Sequence, residues 1–318
     1  MSKGKLQAVM PIKQQGTLSL ANLSLPSNPL ARRWLGLAPA LIIIFVFMVI
    51  PIIILGVYSF KPADSYGGVD PGFSVDAWIQ LLFDRDLDDS LIFDPVYLII
   101  ISRSLLLAAM ATIASLLVGF PVAWYIVQQS PRKREILLFL VTIPFWTNLL
   151  IRAYSWILIL GKEGMIEKVL YGVGAIDGTL EMMYSSGAIA VGLIYSYIPL
   201  MILPIYASLE KLDFSLIEAG QDLYARRWTV LRRIVIPLCL PGIVAGCILV
   251  FVLSLGDFIS PSILGGGKTM MLSNLIQFQF SSARNWPFGG ALTMLLLVIV
   301  AMGSWIYVKV SDGESISH

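Results

Sequence analysis

Six long apolar runs, divided by shorter polar stretches, organise the 318 residues. They extend roughly over 36–60, 96–128, 136–160, 188–209, 237–259 and 289–310. At about 1.5 Å of rise per residue, twenty helical residues match a hydrocarbon layer about 30 Å thick. The pattern predicts an all-α, polytopic membrane protein with six transmembrane helices in one domain, 36–310. The polar residues 1–35 predict a flexible tail, and 311–318 a second, short one. Pro144, Pro199 and Pro204 fall inside spans. They predict freed backbone carbonyls, which are tolerated where a span borders a cavity or packed protein.

The segment between the fourth and fifth runs, about 210–236, has a different rhythm. Leu216, Ala219 and Leu223 fall on one helical face after Asp213 and Ser215. Ser215 with Glu218 three positions on predicts a capping box. A second short amphipathic piece follows, with Trp228, Leu231 and Val235 opposite Arg226, Arg227, Arg232 and Arg233. Pro237 then opens the fifth run, where a missing N–H matters least.

Composition narrows the class. Apolar residues are 57% and charged residues 13% of the chain, so the main solvent is lipid. Fourteen of the 22 basic residues lie in segments on one side: five in the amino-terminal tail, Arg132, Lys133, Arg134, Lys211, the four arginines of the 210–236 elbow and Lys309. The opposite first loop holds Asp64, Asp70, Asp76, Asp84, Asp86, Asp88, Asp89 and Asp94 against Lys61 and Arg85. The asymmetry predicts that both termini and the elbow face the cytosol. The aspartates lack EF-hand spacing and read as a solvated acidic rim that attracts cations. Cys239 and Cys247, eight residues apart on one helix, stand more than about 10 Å apart and read as packing residues. His318 is the only histidine, so no histidine-based metal or nucleophile site is expected, and no metal is assigned. About 35 mostly polar residues precede the first run, unlike a cleavable signal.

The elbow carries a resemblance. Glu218-Ala219, then nine residues between Tyr224 and Ile234, then Ile236-Pro237, resemble the cytoplasmic signature of permease subunits in binding-protein-dependent ABC importers. That signature reads Glu-Ala-Ala, three residues, Gly, nine residues, Ile-x-Leu-Pro. Gly220 replaces its second Ala and Tyr224 its Gly; a tyrosine there disfavours a positive-φ turn. Within the family the chain looks most like spermidine/putrescine permeases, through Pro144-Phe145-Trp146-Thr147-Asn148, Tyr195-Ser196-Tyr197-Ile198-Pro199 and Leu255-Gly256-Asp257-Phe258.

The resemblance implies a permease half in a bacterial inner (plasma) membrane, importing a polyamine such as putrescine or spermidine. It implies a second homologous permease, two cytosolic ATPase copies carrying ATP and Mg, and an extracytoplasmic solute-binding protein. Membrane lipids surround the chain; no nucleic acid is expected, and no cofactor is bound by the chain itself. The ATPase-docking stretch would be Ser215, Leu216, Glu218, Ala219, Gly220, Asp222, Leu223, Tyr224 and Ala225. A membrane-surface segment held by anionic lipid is the plainer reading. The same machine with sulfate, molybdate, ferric iron or thiamine as cargo is the alternative, then an ion-coupled carrier working alone. A membrane enzyme has no His, Cys or Ser cluster to support it.

Three ionisable side chains lie in or beside spans: Arg103, Arg152 and Asp257. Such groups need a partner or a purpose. Arg152, about 24 Å along the third span, and Asp257, about 29 Å along the fifth, reach similar depth. Asp257 reads as a carboxylate that meets a cationic cargo, as a helix-end residue in water beside Gly256, or as a counter-ion to Arg152, whose own role is structural. Trp146, Tyr154 and Tyr197 read as a cation–π lining of the path, or as interfacial aromatics, except Trp146, which follows Pro144 near mid-span. Gly265-Gly266-Gly267-Lys268-Thr269 ends like a phosphate loop, but Ser262 stands where the first glycine is required. A tight turn is expected there instead.

Overall fold

The computed structural model describes residues 29–85, 91–173 and 182–315. The predicted tail therefore lies largely outside the described residues, as do Asp86, Asp88 and Asp89.

The first unit, up to Ile53, contains α1 (Pro29–Ile44), a π-helical turn at Phe45–Val49 and the start of α2 (Ile50–Tyr58). In the second unit α2 ends against the last helix, where Tyr58 stacks on Trp286. A short helix, α3 (Asp76–Ile79), precedes strands β1 (Phe83–Arg85) and β2 (Leu91–Phe93). The strands pair antiparallel, Phe83 opposite Phe93. The expected all-helical chain thus carries one small ribbon in its first loop.

The main helices are α4 (Val96–Val127), α5 (Pro131–Trp146), α6 (Leu149–Leu160), α8 (Ser186–Leu209), α11 (Ile236–Gly256) and α14 (Trp286–Ser315). Helix α14 runs past 311, so the second tail is helical as far as it is described. Shorter pieces are α7 (Met165–Gly172), α9 (Ser215–Asp222), α10 (Arg227–Val230), α12 (Ile259–Leu264) and α13 (Leu272–Ser281). Among the described residues five helices are long and apolar enough to cross a membrane, and a bent pair supplies a sixth.

Two expectations need correction. The third span is not one helix: α5 and the α6–α7 arm meet at 90° across Thr147-Asn148. Thr147 is extended, and the Asn148 side chain caps α6 by accepting from Leu150 N–H at 2.8 Å. A strong cap within an apolar run starts a new helix in a new direction. By contrast, Pro199 and Pro204 leave α8 continuous over 24 residues. Nor does the fifth span begin at Pro237: Arg227–Gly256 forms one 30-residue helix. A π-helical turn at Leu231–Val235 carries it past the proline. The turn at Phe45–Val49 stands in the same register to Pro51. A proline that cannot donate is absorbed in both places by a wider turn rather than a break.

The core lies where α4, α8 and α11 pack together. In α8, 56% of the apolar window is buried, more than in any other span among the described residues. Small residues allow the approach: a Cβ on Gly242 of α11 would strike Ser208 and the Pro204 carbonyl of α8, and one on Gly246 would lie 2.9 Å from the Met201 sulfur. Ile126, Met201, Ile205, Leu209, Val235 and Cys239 fill the elbow end of this core. Leu107, Ile189, Leu193, Leu264 and Met271 fill the other end.

Candidate functional site

At the elbow, α9 packs against the start of the 30-residue helix. Ile217 is 9% exposed and joins the core with Val230 and Val235. Gly220 is buried, and a Cβ there would come within 3.0 Å of Ile234 Cδ1, so the replaced signature alanine has become a closer contact. Ser215, Leu216, Glu218, Ala219, Asp222 and Leu223 face outward, and Ala225 is half-buried.

The helix start differs from the expected box. Asp213 Oδ1 accepts the Ser215 N–H at 3.0 Å, and the Ser215 hydroxyl adds a second hydrogen bond. These bonds hold the Asp213 carboxyl below its ordinary value. The chain turns at Asp213, whose short side chain reaches the N–H two residues on. Ser215 thereby enters the first helical turn and cannot cap it.

The helix end also departs from expectation. Tyr224 adopts φ 60° and is 98% exposed. Tyr224 N–H donates to Gln221 O at 2.9 Å and Ala225 N–H to Gly220 O at 3.2 Å. This is the Schellman pair of bonds, with a tyrosine at the left-handed position that usually holds glycine. The turn is therefore kept despite the substitution, because two hydrogen bonds and the packing of Gly220 and Ala225 offset the steric cost. After the elbow, Val230 and Val235 are buried while Trp228 is 68% exposed, so the inward face is rotated from the one expected.

A tie joins three spans at this end. Arg134 of α5 meets Glu210 at 3.3 Å and donates to the Val127 carbonyl at 2.7 Å, and the Tyr206 hydroxyl donates to Glu210 at 2.8 Å.

At the far end of the core, three predicted residues come together. The Tyr197 ring lies beside the Asp257 carboxylate, with Arg152 within electrostatic reach. Asp257 is 6% exposed and saturated: Oδ1 accepts from Ile259 N–H at 2.9 Å and Ser260 N–H at 3.1 Å, and Oδ2 accepts the Ser260 hydroxyl. It caps the start of α12. Among the described residues Arg152 forms no ion pair with it. The guanidinium instead donates to the Pro144 carbonyl at 3.3 Å and the Ser196 carbonyl at 3.5 Å, spanning the α5–α6 break and tying it to α8. A cation at the end of α5 meets the negative pole of that helix.

Trp146 and Tyr154 are exposed, 81% and 60%, and no hydrogen bond or ring contact ties them to this cluster among the described residues. Trp156 packs edge-on against Tyr195, centroids 5.5 Å apart. Sequence reasoning missed the polar knot behind Asp257. Ser273 donates to the Asp257 carbonyl at 2.7 Å, and Asn274 donates to the Phe258 carbonyl and to Ser262. Their only signal was polar residues recurring on an otherwise apolar segment. Gly266 and Gly267 take φ 55° and 76° in the tight turn between α12 and α13, and Gly266 lies against the Tyr184 ring.

Comparison with known proteins agrees with this architecture. The chain is 36% identical over 270 residues to the spermidine/putrescine transport system permease protein PotB of Escherichia coli K12, covering 85% of this chain and 94% of that one. It is 39% identical over 218 residues to the Haemophilus influenzae protein of the same name, covering 69% and 76%. Among solved structures, a bacterial alginate ABC transporter in complex with an alginate pentasaccharide-bound periplasmic protein superposes with a TM-score of 0.63 at 18% identity. That alignment covers 86% of this chain and 92% of the matched one. Residues 111–311, which include the broken span, the elbow and the Asp257 cap, match one family throughout, and the chain belongs to it: the binding-protein-dependent transport system inner membrane components.

Proposed function

We propose that this chain is one permease half of an ATP-driven importer whose cargo is a polyamine such as putrescine or spermidine. The observation that carries the cargo is the 36% identity extending over 94% of a spermidine/putrescine permease. The elbow is the cytosolic face, both termini share that side, and the outward face of α9 is what an ATPase grips. Leu216, Leu223 and Tyr224, exposed by 46%, 82% and 98%, supply an apolar contact beside Glu218 and Asp222. A second permease completes the path, and a solute-binding protein delivers the cargo at the opposite face. ATP and Mg reside on the ATPase, where closure of two copies pushes α9 and re-packs the α4–α8–α11 bundle.

In this reading Asp257 acts on the cargo through the negative potential of its own carboxylate, which its hydrogen bonds to the start of α12 hold in place. Trp146 and Tyr154 offer ring faces to ammonium groups, each contact contributing about 0.5–2 kcal/mol.

Radiolabelled putrescine, sulfate and iron uptake in a deletion strain complemented with this chain separates the cargoes. Putrescine uptake alone is expected to return; restoration of sulfate or iron uptake instead overturns the polyamine assignment. Glu218→Arg and Ala219→Asp should leave the complex assembled while ATP hydrolysis no longer drives uptake. Full transport by both variants removes the docking role of α9.

A further inference from the structure

The inward face of α9 borders a cavity that ATPase docking on its outward face does not use. Its volume is about 430 Å³, and it lies between Trp124 and Gln128 at the end of α4, Ile217 and Gln221 of α9, and Arg227 and Trp228 at the start of the 30-residue helix. The floor is apolar, with Val230, Leu231 and Val235. We propose that this cavity seats the headgroup of one anionic phospholipid, with Arg227 on the phosphate.

Three features select an anion. Among the described residues Arg227 has no carboxylate partner, and neither do Arg226, Arg232 and Arg233 around it. No side chain caps the first turn of the helix that begins at Arg227, and Arg227 and Trp228 of that turn line the cavity. Gln221 adds an amide donor at the wall, beside Gln128, whose Nε2 already donates to the Trp124 carbonyl at 3.1 Å.

Depth and lining select a lipid over a free phosphate ion. Trp124 and Gln128 mark the end of the α4 apolar run, the level of the headgroups, where tryptophan is favoured. The floor of Ile217, Val230, Leu231 and Val235 has nothing to offer a small inorganic anion but suits a glycerol backbone and the first acyl carbons. Basic pockets between spans at a membrane face take headgroups for this reason. A lipid here would couple the seating of α9 to the composition of the bilayer. The inference needs only that the elbow lies at a membrane surface; it depends neither on the cargo nor on the ATPase.

The test uses the assembled transporter in nanodiscs of phosphatidylglycerol or phosphatidylcholine, followed by native mass spectrometry of the released complex. One phosphatidylglycerol should remain bound per copy of this chain, and phosphatidylcholine should not. Arg227→Gln should reduce retention by about tenfold or more, the loss of a hydrogen bond to a charged group. Arg227→Lys should keep most of it, and Arg232→Gln, outside the cavity, should change it less than about twofold. Melting of each complex is followed alongside, and Arg227→Lys serves as the reading if Arg227→Gln does not assemble. Equal retention of both lipids overturns the proposal. So does an effect of Arg232→Gln as large as that of Arg227→Gln, which would mark diffuse attraction. Release of the lipid by millimolar inorganic phosphate assigns the cavity to a free anion and overturns it as well.

Discussion

Tyr224 shows how a single position can keep a turn while losing the residue best suited to it. A non-glycine residue in the left-handed region costs about 1–2 kcal/mol, and Tyr224 meets that cost at φ 60°. Tyr224→Gly should therefore stabilise the end of α9 by up to about 1 kcal/mol, part of the gain being lost to the freer unfolded chain. Slower hydrogen exchange at Leu223 and Ala225 is the measurement; faster exchange refutes it. At the other end of α9 the sign of a pH effect follows from Asp213. Its carboxyl is held low by bonds to Ser215, so the stabilisation is present above the ordinary value of 3.8 and is lost as pH falls through the lower folded value. Exchange at the α9 start should accelerate only in that acidic range, and Asp213→Ala should abolish the dependence. Asp257 is the buried counterpart. Asp257→Ala strips the caps from Ile259 and Ser260 and should cost about 1–2 kcal/mol. Asp257→Asn keeps one acceptor for those N–H groups and should melt nearer the parent. A change in putrescine affinity in the asparagine variant then reports charge rather than folding.

At the level of elements, the broken third span and the two π-helical turns answer the same local problem differently. A proline in register with a π turn keeps its helix going at Pro51 and Pro237. Pro144 instead precedes an extended Thr147 and a capping Asn148, and the chain turns by 90°. Arg152 fastens that corner. Removing its charge-assisted bonds in Arg152→Met should destabilise the purified complex by about 1.5–3 kcal/mol. Asn148→Ala should loosen the same corner by about 1 kcal/mol through loss of the α6 cap. Melting temperatures of the two variants and of their double mutant test the shared role. Fully additive losses would deny it. The Arg134–Glu210 pair is weaker than it looks, with side chains 27% and 51% exposed, and solvent screening leaves it about 0–1 kcal/mol. The more durable part of that tie is the Arg134 bond to the α4 carbonyl of Val127.

For the molecule as a whole, the close passage of α11 over α8 sets the frame on which both ends depend. Gly242→Ala places a methyl group against Ser208 and the Pro204 carbonyl, and the backbone oxygen cannot move aside as a flexible side chain would. Overpacking of this kind costs about 1–3 kcal/mol. The expected outcome is a lower melting temperature together with reduced uptake, since the elbow and the Asp257 cap are carried on the same helix. Gly220→Ala is the contrasting case, because its obstacle is the far end of the Ile234 side chain, and it should be nearly neutral. If Gly242→Ala is as well tolerated as Gly220→Ala, the frame is looser than the contact geometry requires.

Much was legible in the residues alone. Apolar run length located the five helices able to cross a membrane and the bent pair that is the sixth candidate, because crossing a hydrocarbon layer is a requirement on length and polarity that needs no partner. The Glu218–Pro237 spacing marked the elbow, and proximity in depth put Arg152 and Asp257 in one neighbourhood. What only the tertiary structure decided was the use of each polar group. Asp257 could accept from a cargo or from two backbone N–H groups, and sequence spacing is the same for both. Ser215 matched a capping pattern, and the turn at Asp213 instead placed it inside the first turn of α9. The corner at Asn148 is fastened by a neighbour distant in sequence, α8 supplying a carbonyl to Arg152, and the wider turn before Pro237 is anchored where Val230 and Val235 meet the α8 core residues. Hydrogen bonds and close packing depend on which surfaces meet, and a one-dimensional pattern constrains that only through the polarity of each face.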